Sequence, residues 1–533
     1  MGDKYDRQLR LWGAEGQRRL AGTHVLVLGS CATASEALKN LVLPGVQRFT
    51  IMDDQFVTPA DRTNNFFVAS ASIGASRCET VAQMLLELNT DVAGGARHAD
   101  VKHVLETEPQ FLDPFDLVMA TQLLDDHVTL LLARLCRDKR RPLILVTSWG
   151  FVGSLRLQVM DHVIVDAKLD PPRHELRLSR PFSTLQTFAD SFDLPSLSSI
   201  EHAHVPFVVL LLHVRNEWTR RSCGDGQLPT TVAEKRAFKT LLEQMARGAP
   251  GHEVNFVEAA EHAYMAYVKP QVPDEVASVL AAAASRAVSA QALEKRKDLD
   301  VTDEFWLLAS ALADFVEQND GLLPVTGVVP DMTASTESYV ALQELYVTKA
   351  KEDATKVYDM VCKRLRDLEL ADDMIAYETV AAFCKNAASI GMLETRSVAQ
   401  EYAHVDLSDV DLDDEDKEHS PLIWYFMLRA VALFASEFHR YPGSEDAAVA
   451  QDRVWLVAKA RALAAGSAVA NWITLDHALE MTRSCQVELH NIAALMGGVA
   501  AQEAVKLITH QFEPLNHTYV YNGISGVAAT YRL

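Results

Sequence analysis

At 533 residues the chain is too long for one hydrophobic core, so two or three domains are expected. Its 50 basic and 72 acidic residues leave a net charge of −22, which argues against general nucleic-acid binding, and its 49% apolar content argues against disorder. The seven cysteines are dispersed without a Cys-x-x-Cys, which excludes the usual zinc knuckle and fits reduced thiols in the cytoplasm or nucleus, and no uncharged apolar run of about 20 residues marks a membrane span.

His24-Val25-Leu26-Val27-Leu28 reads as a buried strand, followed by a helix over about 34–43. A second strand over 48–52 ends in Asp53, near the usual distance for a carboxylate that holds a ribose. Between the first strand and its helix, Gly29-Ser30-Cys31-Ala32-Thr33-Ala34 stands where a dinucleotide-binding loop would read Gly-x-Gly-x-x-Gly. Cys31 and Ala34 occupy the places of the second and third glycines. A β-carbon at the second place would press on a pyrophosphate as the backbone approached it. The reading is a nucleotide-binding fold kept for something other than binding a nucleotide, with Gly29, Cys31 and Ala34 a degenerate loop and Asp53 a vestige.

Residues from about 5 to 155 alternate strands with amphipathic helices, as a parallel α/β sheet does. Further strands are expected at 117–120 and 143–146, and helices at 76–88 and 128–137. Beyond about residue 156 helices dominate, over 205–218, 276–294, 304–317, 338–368 and 422–439. The alanine-rich run 279–284 is helix propensity, and the acidic run 409–416 is a solvated loop. A helix over 499–509 precedes a hairpin whose turn signal is Asn522-Gly523. A tail that returned to the first sheet would divide the chain into 1–160, a helical insertion over 161–485, and 486–533. Trp12, Trp149 and Trp306 read as packing anchors, and His24, His252 and His262 as structural. Cys223, in Cys-Gly-Asp-Gly, reads as an incidental loop thiol.

Several segments, in this order, carry a family resemblance: Tyr5-Asp6-Arg7-Gln8-Leu9-Arg10-Leu11-Trp12-Gly13, Leu38-Lys39-Asn40-Leu41-Val42-Leu43-Pro44-Gly45-Val46, Asn64-Asn65-Phe66-Phe67, Ser72-Ile73-Gly74 and Ala501-Gln502-Glu503-Ala504-Val505-Lys506. Together they resemble the adenylating half-domains of ubiquitin-like-modifier activating enzymes. Gly327-Val328-Val329-Pro330-Asp331-Met332, Leu342-Gln343-Glu344-Leu345-Tyr346, Met427-Leu428-Arg429-Ala430-Val431 and Arg440-Tyr441-Pro442-Gly443 narrow the resemblance. They are similar to the regulatory subunits of neddylation-activating heterodimers, of the amyloid-precursor-binding or auxin-resistance type. The fold this implies is α/β, a Rossmann-like adenylation domain of the ThiF/MoeB type split by a large, mainly helical insertion.

The resemblance implies mostly losses. Asn64 and Asn65 stand where active members carry an Arg-Gln pair, Gly74-Ala75-Ser76-Arg77 lacks a lysine after the glycine, and Ala120-Thr121-Gln122-Leu123 lacks the aspartate that helps hold magnesium and ATP. No cysteine sits in the Cys-Thr context of a thioester site. The chain is therefore expected to bind no cofactor or metal and to be inactive alone. Its catalytic partner subunit would carry ATP, magnesium and the active cysteine. Arg7 is the positive candidate, implied to reach in trans to the phosphates of partner-bound ATP, while Arg10 is interfacial or solvated. The expected partners are that subunit, a Nedd/Rub-type modifier and a conjugating enzyme, with no nucleic acid and no membrane. Service to another modifier such as Sumo, or a purely scaffolding role, stays open.

Overall fold

The computed structural model describes residues 4–171, 174–221, 227–248, 251–286, 299–413 and 416–533. The expectation for Cys223, and parts of those for 276–294 and 409–416, lie outside the described residues.

The apolar run His24–Leu28 (β1) becomes a central strand because both of its faces find a core. Val25 and Val27 pack into one layer and Leu26 and Leu28 into the other, so the strand reads as continuously apolar instead of alternating. On one side it pairs with Arg48–Met52 (β2), which pairs in turn with Ala93–Arg97 (β3). On the other side lie Leu117–Ala120 (β4) and then Leu143–Trp149 (β5), and all these pairings are parallel. Val152–Gln158 (β6), Thr518–Asn522 (β7) and Val527–Tyr531 (β8) add antiparallel strands, giving the order β8-β7-β6-β5-β4-β1-β2-β3. The C-terminal tail thus completes the sheet begun at the N-terminus.

Asp6–Leu20 (α1) precedes the sheet and bends at Gly13, whose φ of 71° is left-handed. Ala32–Val42 (α2) follows β1 and packs along the C-terminal helix His490–Thr509. Gly497 permits that approach, since a Cβ there would stand 2.7 Å from Glu36 Cβ and 2.8 Å from the Ala37 nitrogen. Ile492, Met496, Ala500 and Ala504 from the same helix complete the core on the Val25 and Val27 face.

Two compact units emerge, one running to Ile164 and resuming at Met392, the other Val165–Gly391. The return to the sheet unit therefore falls far earlier than the expected 486. The reason is packing: Pro421–Phe438 and its neighbours Val449–Leu463 and Leu475–Ser484 bury Ile423, Met427, Leu456 and Met481 in one cluster with Trp149, Val152, Val520 and Tyr531 of the sheet. By length and hydropathy, Pro421–Phe438 and His490–Thr509 are apolar enough to cross a membrane, but 72% and 67% of their windows are buried inside the protein. The hairpin also differs from expectation. Asn522 is the last paired residue, opposite Val527, and the turn is closed by Gly526 N–H donating to Asn522 O at 2.8 Å, with Gly526 supplying the positive φ of 75°.

The second unit is helical. Phe207–Arg221 lies at its centre, buried against Val232–Met245, Val254–Glu261 and the 32-residue helix Thr336–Asp367. Tyr346, fully buried from that long helix, donates from its hydroxyl to Leu176 O at 2.6 Å. Ser335 starts the same helix by accepting from Ser338 N–H at 3.2 Å. Trp306, 4% exposed, anchors a further helix, Val301–Gln318.

Candidate functional site

β1 leads on to β2 on one side and β4 to β5 on the other, so the connections leaving these adjacent strands diverge and open a crevice at their carboxyl ends. A cleft of about 580 Å³ occupies this place, lined among others by Cys31, Arg77, Thr121, Gln122, Asp125 and Glu488. Gly29, with φ 103°, makes the turn out of β1, and a Cβ on it would meet the Thr121 hydroxyl at 2.8 Å. Both loops that frame the crevice are therefore in close contact.

The phosphate end of this cleft is taken. α2 starts at Ala32, where free amides and the helix dipole make a seat for an anion. Glu488 fills it from inside the chain. One carboxylate oxygen accepts from Ala32 N–H at 2.7 Å and from Thr33 N–H at 3.4 Å, and the other accepts from the Thr33 hydroxyl at 2.7 Å. Glu488 is only 8% exposed, and burial raises its pKa despite these hydrogen bonds. Its backbone is pinned on both sides: Asn64 Nδ2 donates to Glu488 O at 3.1 Å, and Gly150 N–H donates to Val487 O at 2.8 Å.

The ribose end is taken as well. Asp53 is 1% exposed, and its Oδ2 accepts from Ser30 N–H at 3.1 Å and from Arg77 Nε and Nη2 at 3.0 and 2.7 Å. The Ser30 hydroxyl donates to the same oxygen, and Gln55 N–H donates to Oδ1 at 3.0 Å. Arg77 extends a third nitrogen to Asp61 at 3.0 Å. Burial alone would lower the guanidinium pKa; the Asp53 carboxylate outweighs it and raises the pKa instead. Arg77 thus turns inward onto the carboxylate that a ribose would need.

The remaining positions follow the same course. Cys31 precedes α2, donates its thiol to Thr121 O at 3.2 Å, and is pushed well above the usual thiol range by burial and by Glu488. Ala34 is fully buried within α2. Thr121 follows β4, and its hydroxyl donates to Leu28 O at 3.1 Å. The next carboxylates are already employed, Asp125 as a helix cap accepting from Val128 N–H at 2.8 Å and Asp126 in a forked pair with Arg429 at 2.8 and 3.1 Å. Asn64 and Asn65 bind backbone: Asn65 Nδ2 donates to Ser30 O at 3.3 Å, and His490 Nδ1 bonds Asn64 O at 2.9 Å. Directly after these anchors the loop presents Phe66, 82% exposed. The donors a phosphate would use and the carboxylate a ribose would use are thus each engaged by groups of the chain itself.

Arg7 lies apart from the cleft, exposed on α1, and makes no ion pair or hydrogen bond among the described residues; Arg10 pairs with Asp6 at 2.9 Å. The histidines sit in packing roles, His24 against Phe115 and His262 stacked on Phe207, while His252 is exposed. Trp149 is 2% exposed and donates to Met481 O at 2.9 Å. Sequence reasoning missed Glu488 altogether. It lies 456 residues from Ala32, and no motif or spacing links the two.

A family model described as the ThiF family matches residues 5–531. The NEDD8-activating enzyme E1 regulatory subunit of Xenopus laevis is 34% identical over 540 residues, spanning 99% of this chain and 98% of that protein. The NEDD8-activating enzyme E1 regulatory subunit AXR1 of Arabidopsis thaliana is 34% identical over 525 residues, spanning 98% and 94%. A crystal structure of E. coli tRNA N6-threonylcarbamoyladenosine dehydratase, TcdA, with AMP is 18% identical, covers 29% of this chain and 64% of that one, and superimposes with a TM-score of 0.26.

Proposed function

The chain belongs to the ThiF family, among the NEDD8-activating enzyme E1 regulatory subunits, and from that premise we propose that it works only in trans, completing an adenylation site on a catalytic partner. The partner holds ATP, magnesium and the thioester cysteine. The pair activates the C-terminal carboxylate of a NEDD8-type modifier, passes it to the partner's cysteine and delivers it to a conjugating enzyme, in the cytoplasm or nucleus. One contrast supports this reading: Asp53 is consumed by Arg77 and Ser30, whereas Arg7 is exposed and has no side-chain partner among the described residues. A guanidinium offers a fixed charge and forked donors, which suit a polyphosphate whose charge shifts as its α-phosphate is attacked. Arginines supplied in trans to other phosphoryl transfers contribute roughly 10³- to 10⁵-fold. A smaller effect is expected here, because Arg7 would hold the outer phosphates and not the one attacked.

Pyrophosphate–ATP exchange tests the reading. The purified chain alone is expected to show none, and the reconstituted pair to show exchange that depends on the modifier. Exchange by the chain alone would overturn the proposal. A scaffold-only role is the second reading, favoured by the separate helical core of Val165–Gly391. It requires Arg7→Ala to leave adenylation unchanged.

A further inference from the structure

Glu488 does more than fill space. It places an ionisable group on three donors that an external phosphate would otherwise use, the Ala32 and Thr33 amides and the Thr33 hydroxyl, and the last also shares a hydrogen bond with Ser148 at 2.9 Å. The carboxylate is the right chemistry for those donors: it is planar, anionic and accepts several hydrogen bonds at once. It is also delivered intramolecularly. With the Val487 and Glu488 carbonyls both held, its effective concentration at the seat is on the order of millimolar or higher, which a dissolved anion must exceed to displace it.

We propose that Glu488 is a tethered plug: an internal anion that occupies the phosphate seat of α2 and closes this half of the fold to polyphosphates. The inference rests on the reading that this chain binds no nucleotide, and it adds the agent of exclusion. Loss of the loop glycines then accounts for only part of the closure. Cys31 narrows the approach, while Glu488 holds the donors themselves. The plug also fills the seat from within the chain, and the neighbouring 64–67 segment is tied to it, Asn64 Nδ2 donating to the Glu488 carbonyl and Asn65 Nδ2 to the Ser30 carbonyl.

The test uses the full chain and inorganic pyrophosphate, followed by calorimetric titration and thermal unfolding. Wild type is expected to show neither binding nor a melting shift at millimolar pyrophosphate. Glu488→Ala frees the three donors beside an open cleft and is expected to bind at least about tenfold more tightly than wild type, as two or three charge-assisted hydrogen bonds allow. Its melting temperature should rise with pyrophosphate and not with chloride. Glu488→Ser, which keeps a small polar group near the amides, carries the same expectation should Glu488→Ala fold poorly. Glu488→Gln keeps the seat filled and is expected to behave as wild type. Pyrophosphate binding to folded Glu488→Ala or Glu488→Ser no tighter than to wild type overturns the proposal. Unfolding of both variants that pyrophosphate does not restore also overturns it, since Glu488 would then be structural. Neither failure bears on the exchange assay of the wild-type chain, which judges the functional reading separately.

Discussion

Arg77 grips Asp53 through two nitrogens, at 3.0 and 2.7 Å, in a setting where the aspartate carboxylate is inaccessible to solvent. A ribose-binding carboxylate must face its ligand; this one faces an arginine.

Removing only the arginine leaves a buried, uncompensated charge. Arg77→Met is expected to destabilise the chain by about 3–5 kcal/mol in urea unfolding, as breaking one side of a buried pair does. Arg77→Met with Asp53→Asn is expected to recover most of that loss. No recovery in the double variant would show that the pair is not the source.

Arg7→Ala is expected to leave stability within about 0.5 kcal/mol of wild type, because the side chain is exposed and makes no ion pair or hydrogen bond among the described residues. Heterodimer formation should be normal by size-exclusion chromatography, while modifier-dependent pyrophosphate exchange falls by about tenfold or more. Unchanged exchange would sink the role in trans.

Helix contact at Gly497 offers a packing test. Its missing side chain lets His490–Thr509 approach α2 to within 2.7 Å of an added Cβ, and the obstructing atoms include the Ala37 backbone nitrogen, which cannot step aside. Gly497→Val is expected to cost about 2–3 kcal/mol through overpacking, whereas Gly498→Ala, with nothing within 4 Å, should be neutral or slightly stabilising. Thermal unfolding of the two variants separates them.

His517 sets a pH dependence. Burial, with Arg156 nearby, lowers its pKa to about 4. As a neutral ring it accepts from Leu533 N–H at 3.2 Å and bonds the Thr518 hydroxyl at 3.0 Å. The folded state resists protonation here while the unfolded chain, with a pKa of about 6.5, accepts it. Its contribution is therefore complete above about pH 6.5 and is lost as the pH falls toward 4, by no more than about 3 kcal/mol. His517→Gln should flatten that part of the stability–pH curve. An unchanged slope between wild type and variant would refute the assignment.

Much of the first unit was legible because its signals are local. A run apolar on both faces, as in His24–Leu28, implies a strand covered on both sides, and Cys31 in a glycine's place implies a poor phosphate loop whatever the rest of the chain does. The unit boundary was not legible, since a period of 3.6 residues shows that Pro421–Phe438 has an apolar face but not which core receives it. The Asn522-Gly523 signal marked the hairpin correctly and its turn wrongly, because Gly526 supplies the positive φ instead. Glu488 was invisible for the plainest reason: its partners at Ala32 and Thr33 become neighbours only when the sheet closes.

That closure has a cost in time. β6 is matched to β7 with Val152 opposite Asn522, partners about 370 residues apart in the chain. At a synthesis rate of roughly 5–20 residues per second, β6 leaves the ribosome some tens of seconds before its mate exists. Throughout that interval its outer hydrogen-bonding groups form a raw margin able to pair with any passing strand. Nascent chains of this protein should lean on chaperones until Thr518–Asn522 and Val527–Tyr531 arrive, and a stop codon placed ahead of Thr518 should yield aggregate instead of a shortened soluble product.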